Sequence, residues 1–132
     1  MAAKPPRPTE AELNILQVLW QAGPNSVREV QRILNQSKPT GYTTALKMLQ
    51  IMTEKGLVDR DETVRPQIYR ACYSQEHTQR RLLRDLVERA FGGSVKALVL
   101  QALAGKKSTP EELAAIEKLL NQYEAGYEGE GK

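Results

Sequence analysis

Residues 38–73 read KPTGYTTALKMLQIMTEKGLVDRDETVRPQIYRACY, and this stretch decides the fold. Pro39 cannot lie inside a helix and drives Lys38 to an extended conformation, so a helix can begin only beyond it. From Tyr42 to Lys55, the apolar residues Ala45, Met48, Leu49 and Met52 recur at a helical period and mark a core-facing stripe. Thr43, Lys47 and Gln50 fall together on the opposite face, flanked by Leu46 and Ile51. Gly56 stops the helix. Residues 57–62 and 67–73 then have strand-like content, joined through Val64, Arg65 and Pro66, which predicts a β-hairpin.

Toward the N-terminus, Pro5, Pro6 and Pro8 exclude a helix before Thr9. Thr9 and Glu12 have the spacing of a capping box, and Leu13, Leu16, Leu19 and Trp20 form one apolar stripe. This helix should end at Ala22, with Gly23 as a left-handed cap before Pro24. Ser26 and Glu29 predict a second capping box, ahead of a helix built on Val27, Val30, Ile33 and Leu34. Three helices followed by a hairpin is the winged helix-turn-helix order, here over residues 1–74. The fold class is therefore mainly α with a small β-hairpin.

Beyond Ser74 the pattern changes, and residues 75–124 read as a separate helical region. Leu83, Leu86, Val87 and Ala90 mark one helix, broken by Gly92 and Gly93. Ser94 caps a second, whose Val95, Leu98, Val99, Leu100, Ala102 and Leu103 are apolar almost all round, a pattern that predicts burial on more than one side. Thr109, Pro110 and Glu112 open a third, carrying Leu113, Ile116, Leu119 and Leu120. Residues 125–132, rich in Gly and Glu, read as a flexible tail. These helices alone hold too little chain to enclose so much apolar surface. A two-fold homodimer is the simplest remedy, built from Leu83, Leu86, Val95, Leu98, Val99, Ala102, Leu103, Leu113, Ile116 and Leu120.

Charge separates the two regions. Residues 1–74 hold ten Lys and Arg against seven acids, whereas the remainder holds nine of each, so the whole excess of +3 lies with the winged region. That placement fits a phosphate-facing surface. No apolar run approaches the roughly 20 residues of a membrane span, and the first residues lack the apolar core of a signal peptide, which predicts a cytoplasmic protein without membrane insertion. A single Cys72 and a single His77 cannot make an internal disulfide or close a zinc site, and no cofactor is expected. Cys72 itself reads as a small buried hydrophobe. No nucleophile constellation or glycine-rich phosphate loop is present, so nothing predicts an enzyme.

The polar face after Pro39 has the chemistry of major-groove readout. Gln50 can bond adenine, Lys47 favours guanine, and a Thr43 methyl can touch thymine. Tyr42, Thr43 and Thr44 at the helix start can hold phosphate together with backbone N–H groups. Arg65 at the hairpin tip would reach the sugar-phosphate backbone or the adjacent minor groove, and Lys4, Arg7 and Lys38 would add phosphate contacts. The competing reading is a winged-helix interaction scaffold, with Leu46 and Ile51 as anchors for a protein partner and the polar face merely solvated.

Gly41 to Val58 resembles the recognition helix and first wing strand of the BlaI/MecI penicillinase-repressor family, which includes the copper-responsive CopY repressors. Pro8 to Leu13 with Trp20, Phe91 to Ser94, and Glu111 to Leu120 agree with it as well. The resemblance spans about residues 7–122. It implies a homodimeric transcriptional repressor of a palindromic double-stranded DNA operator, with Tyr42, Thr43, Thr44 and Lys47 facing DNA. In the penicillinase branch it also implies a membrane sensor protease, whose signal leads to cleavage at an Asn-Phe pair in the first dimerisation helix. The matching position here is Gln101-Ala102, which argues against cleavage-based induction. The copper branch's paired Cys-x-Cys elements are missing, which argues against copper sensing of that type.

Overall fold

Thr9 starts α1 (Glu10–Ala22) as its spacing requires: its hydroxyl accepts from the Glu12 N–H at 3.1 Å, and the Glu12 carboxylate accepts from the Thr9 N–H at 2.9 Å. In this computed structural model, residues 7–105 and 108–130 are described, with side chains to residue 122; Lys4 lies outside them. Gly23 departs from the expected left-handed cap. Its φ of 85° is positive but its ψ of 179° is extended, a region open essentially to glycine, and it hands the chain directly to Pro24.

α2 (Val27–Ser37) makes only half of its expected capping box. Ser26 Oγ accepts from the Glu29 N–H at 3.2 Å, but the Glu29 carboxylate turns to Arg32 instead, where both partners of the bond are charged. Lys38 is extended, as Pro39 demands. The turn into α3 (Tyr42–Lys55) is fastened by side chains: Gln31 Nε2 donates to the Thr40 carbonyl at 2.8 Å and Asn35 Oδ1 accepts from the Thr40 N–H at 2.9 Å.

Gly56, with φ 82° and ψ 16°, closes α3 in the left-handed cap, and the Leu57 N–H returns to the Met52 carbonyl at 2.9 Å. The chain then enters β1 (Val58–Asp61), which pairs antiparallel with β2 (Ile68–Ala71) from Val58↔Ala71 to Asp61↔Ile68. Both strands are shorter than expected. A further rung comes from outside the hairpin: Asn25 and Tyr69 exchange N–H to carbonyl bonds of 2.9 and 2.8 Å. Trp20 Nε1 donates to the Tyr73 carbonyl at 3.0 Å and ties α1 to the exit of the hairpin.

One core joins these elements. Ile15, Leu16, Val18 and Leu19 of α1 meet Val27 and Val30 of α2, Ala45, Leu49 and Met52 of α3, and Leu57, Val58 and Tyr69 of the hairpin. Met48 is half-buried at its edge. Complete burial contributes about 1.5–3 kcal/mol for each large aliphatic side chain, so the stripe in α3 fixes which of its faces remains outside. Cys72 corrects the sequence expectation: it is exposed. Alternation along β2 turns Tyr69 inward, Arg70 outward and Ala71 inward, so the next residue points out again. Partial desolvation of its sulfur and the nearby Asp59 carboxylate push the thiol pKa up, away from thiolate reactivity.

Glu12 has a second role that spacing does not reveal. Its buried carboxylate receives Lys55 Nζ at 2.7 and 2.9 Å, which links the start of α1 to the end of α3. Burial raises its pKa, but bonds from Lys55 and Thr9 outweigh that and hold it below the ordinary value of 4.5. A depressed carboxyl adds stability above its unfolded-state pKa and loses it as pH falls through the folded one. Lys55→Met should leave the carboxylate buried without a cation and cost about 1–3 kcal/mol at neutral pH. The deficit should shrink as pH falls through the carboxyl's folded-state pKa, and urea melts at neutral and at acid pH measure it. A deficit equal at both would mean that only the lysine's alkyl packing matters.

The chain divides into two compact units, the first ending at Arg84 and the second starting at Asp85, so the break lies within α4 (Gln75–Ala90). Ser74 caps α4 by accepting from the His77 N–H at 3.0 Å. The second unit continues with α5 (Val95–Ala104), opened by Ser94, and α6 (Pro110–Glu130), opened by Thr109, whose hydroxyl bonds the Glu112 N–H while the Glu112 carboxylate returns to the Thr109 N–H. The helical trace of α6 extends to Glu130, into the stretch expected as a flexible tail. Although α5 is apolar nearly all round, none of its residues is buried within this chain. The expected burial on more than one side is therefore not met by a single copy.

Candidate nucleic-acid interface

Because Ala45, Leu49 and Met52 are fully enclosed, the opposite face of α3 is committed to solvent. Thr43, Lys47 and Gln50 are exposed along it, as expected from their spacing, and Tyr42 and Thr44 are exposed at its start. The two apolar flanks differ. Leu46 packs against the core, whereas Ile51 is 40% exposed. Gly41 caps α3 without a side-chain hydrogen bond, so no capping side chain competes for the first-turn N–H groups with an incoming anion.

The charges of the winged unit fall into two sets. Lys55 is paired with Glu12, Arg32 with Glu29, Arg60 with Glu62 at 2.7 Å, and Arg70 with Asp59 at 3.5 Å. The Tyr69 side chain and Glu62 both hold Arg60 in its charged form. Among the described residues, Arg28, Lys38, Lys47 and Arg65 have no carboxylate partner. Lys47 is on the outer face of α3, Lys38 precedes it, and Arg65 is on the hairpin connection, where its guanidinium donates to the Glu62 carbonyl at 3.3 Å. Arg28 was not singled out by spacing. Its guanidinium carbon lies 5.8 Å from the centre of the Tyr42 ring.

The winged unit thus offers a helix face of hydroxyl, ammonium and amide groups, bordered by cations that its own carboxylates leave uncompensated. Such a surface suits a polyanion that also presents hydrogen-bonding edges. No cluster of His, Cys, Asp and Glu able to hold a metal occurs among the described residues. His77 stacks on Tyr73 at a centroid separation of 5.0 Å. No helix among the described residues is long and apolar enough to cross a membrane.

The residues expected at a dimer interface, Leu83 near the end of the first unit and the rest in the second, remain wholly or partly open. Leu83, Leu86, Val95, Leu103, Leu113 and Leu120 are exposed, as is Ala102, while Leu98, Val99 and Ile116 are half-buried. Gln101 and Ala102 are exposed within α5, so the peptide bond between them is helical.

Comparison with known proteins places this arrangement in context. The profile of the Penicillinase repressor family matches residues 8–122. A penicillinase repressor of Bacillus licheniformis is 21% identical over 120 residues, covering 91% of this chain and 94% of that protein. The solution structure of the monomeric form of Bacillus licheniformis BlaI in complex with the blaP half-operator matches 55% of this chain and 89% of its own, with 23% identity and a TM-score of 0.49. A MarR family protein from Bacillus stearothermophilus matches 89% of this chain and 74% of its own, with 19% identity and a TM-score of 0.50. At that identity the likeness is one of fold.

Proposed function

Since this chain belongs to the penicillinase repressor family, a family of repressors and not of enzymes, we propose that it is a DNA-binding transcriptional repressor acting as a homodimer in the cytoplasm. The observation that carries the reading is the outward Thr43-Lys47-Gln50 face of α3 in a unit that also leaves Arg28, Lys38 and Arg65 without carboxylate partners. α3 would lie in the major groove, Tyr42 and Thr44 with its free N–H groups would hold phosphate, and Arg65 and Lys38 would meet the flanking backbone. Two copies related by a two-fold axis would read a palindromic operator, with half-sites about one helical turn, or a multiple of it, apart.

The exposed leucines of α4, α5 and α6, with Val95, support the dimer, because apolar surface left open by one chain on this scale marks an interaction site. Proteolytic relief by a membrane sensor protease has weaker support: the position matching the family's cleavage pair is Gln101-Ala102, inside a helix that must unwind locally before a protease can take it.

Titration of the full chain against genomic fragments at several salt concentrations tests the reading. Selective binding whose logarithm falls linearly with the logarithm of salt is expected, since bound Lys and Arg displace condensed counterions. Binding without salt dependence or selectivity would instead favour the interaction scaffold.

A further inference from the structure

Beside the outward face of α3 lies a cleft of about 400 Å³ between the first turn of α2, the start of α3 and the tip of the hairpin. Arg28, Tyr42, Arg65 and Gln67 are among its lining residues, and no carboxylate is. Its two guanidiniums belong to the set that the protein leaves uncompensated. Each is also held in place: Arg28 rests over the Tyr42 ring, and Arg65 donates to the Glu62 carbonyl. A cation–π contact restrains a guanidinium while leaving N–H groups available, and its planar fork matches two oxygens of a phosphate.

We infer that this cleft seats one phosphodiester of the DNA backbone, with Arg28 as the contact residue and Tyr42 as its platform. The inference rests on the DNA-binding reading above and adds a residue to it. A polymer is favoured over a free anion because the cleft is open and adjoins the exposed residues of α3, so a strand laid along that helix can pass through it. Seating this phosphate would fix the rotation of α3 in the groove and hence which base edges Lys47 and Gln50 meet. Arg28 would carry no sequence information itself.

The test compares the full-length protein with Arg28→Ala and Arg28→Lys on a genomic fragment recovered by titration and on a random duplex of equal length. Arg28→Ala should weaken both by about tenfold and lower the slope of log K against log salt by about 0.9, the value for one lost phosphate contact. Arg28→Lys should retain the slope but recover only part of the affinity. In ethylation interference, one phosphate per half-site that blocks the parent protein when ethylated should no longer matter to Arg28→Ala. An unchanged slope and interference pattern, or a loss confined to the selected fragment, would overturn the assignment. If the parent protein itself shows no salt-dependent binding, the DNA reading fails first, and the two failures are thereby distinguished.

Discussion

Leu98→Asp is expected to sediment as a monomer and to lose operator affinity by about two to four orders of magnitude. Leu98 is half-buried on a helix none of whose residues is enclosed by its own chain, among the exposed Val95, Leu100 and Leu103. If a second copy covers this surface, a carboxylate placed in the contact has neither water nor a cation, and a buried unpaired charge costs several kcal/mol. Monomerisation then removes the second half-site from the binding event, and with it the effective concentration that one bound half confers on the other. The winged unit, whose core lies elsewhere, should keep its secondary structure in circular dichroism. A variant that still sediments as a dimer would place the interface on another surface.

Lys47→Ala should weaken binding to a selected operator by about 1–3 kcal/mol, with a smaller loss on random DNA. The side chain is exposed on α3 and has no carboxylate partner among the described residues, so its removal breaks no ion pair there. Alanine is also the better helix former, so the fold should not suffer. Loss therefore reports on DNA alone. Equal losses on both duplexes, with the salt slope reduced by about one phosphate contact, would reassign Lys47 from base edge to backbone.

Local pattern made much of this architecture legible. Pro39, the stripe from Ala45 to Met52 and Gly56 bound α3 by steric rules that act within a few residues, and both the helix and its outward face follow. Thr9 and Glu12 announce α1 for the same reason. What escaped depends on contacts distant in sequence. Lys55 of α3 reaches Glu12 of α1, and Arg28 of α2 meets Tyr42 of α3, only after the helices have packed, so neither pair has a spacing that marks it. The direction of Cys72 depends on the hairpin register, and one residue of shift reverses every side chain of a strand. The apolar circumference of α5 announces that cover is needed but not whose. Glu29 kept its helix but not its partner, since Arg32 lies one turn away on the same face.

The rung between Asn25 and Tyr69 bears on the calorimetry of recognition. By stitching the loop before α2 to the second wing strand, it holds the hairpin to the helical body before any duplex arrives. Such a unit should dock nearly as a rigid body, and its heat-capacity change should scale with the interface area alone. A wing that ordered only on contact would add an excess negative heat capacity and an entropic penalty. A proline at Asn25, which removes the N–H donated to Tyr69, should make that excess appear.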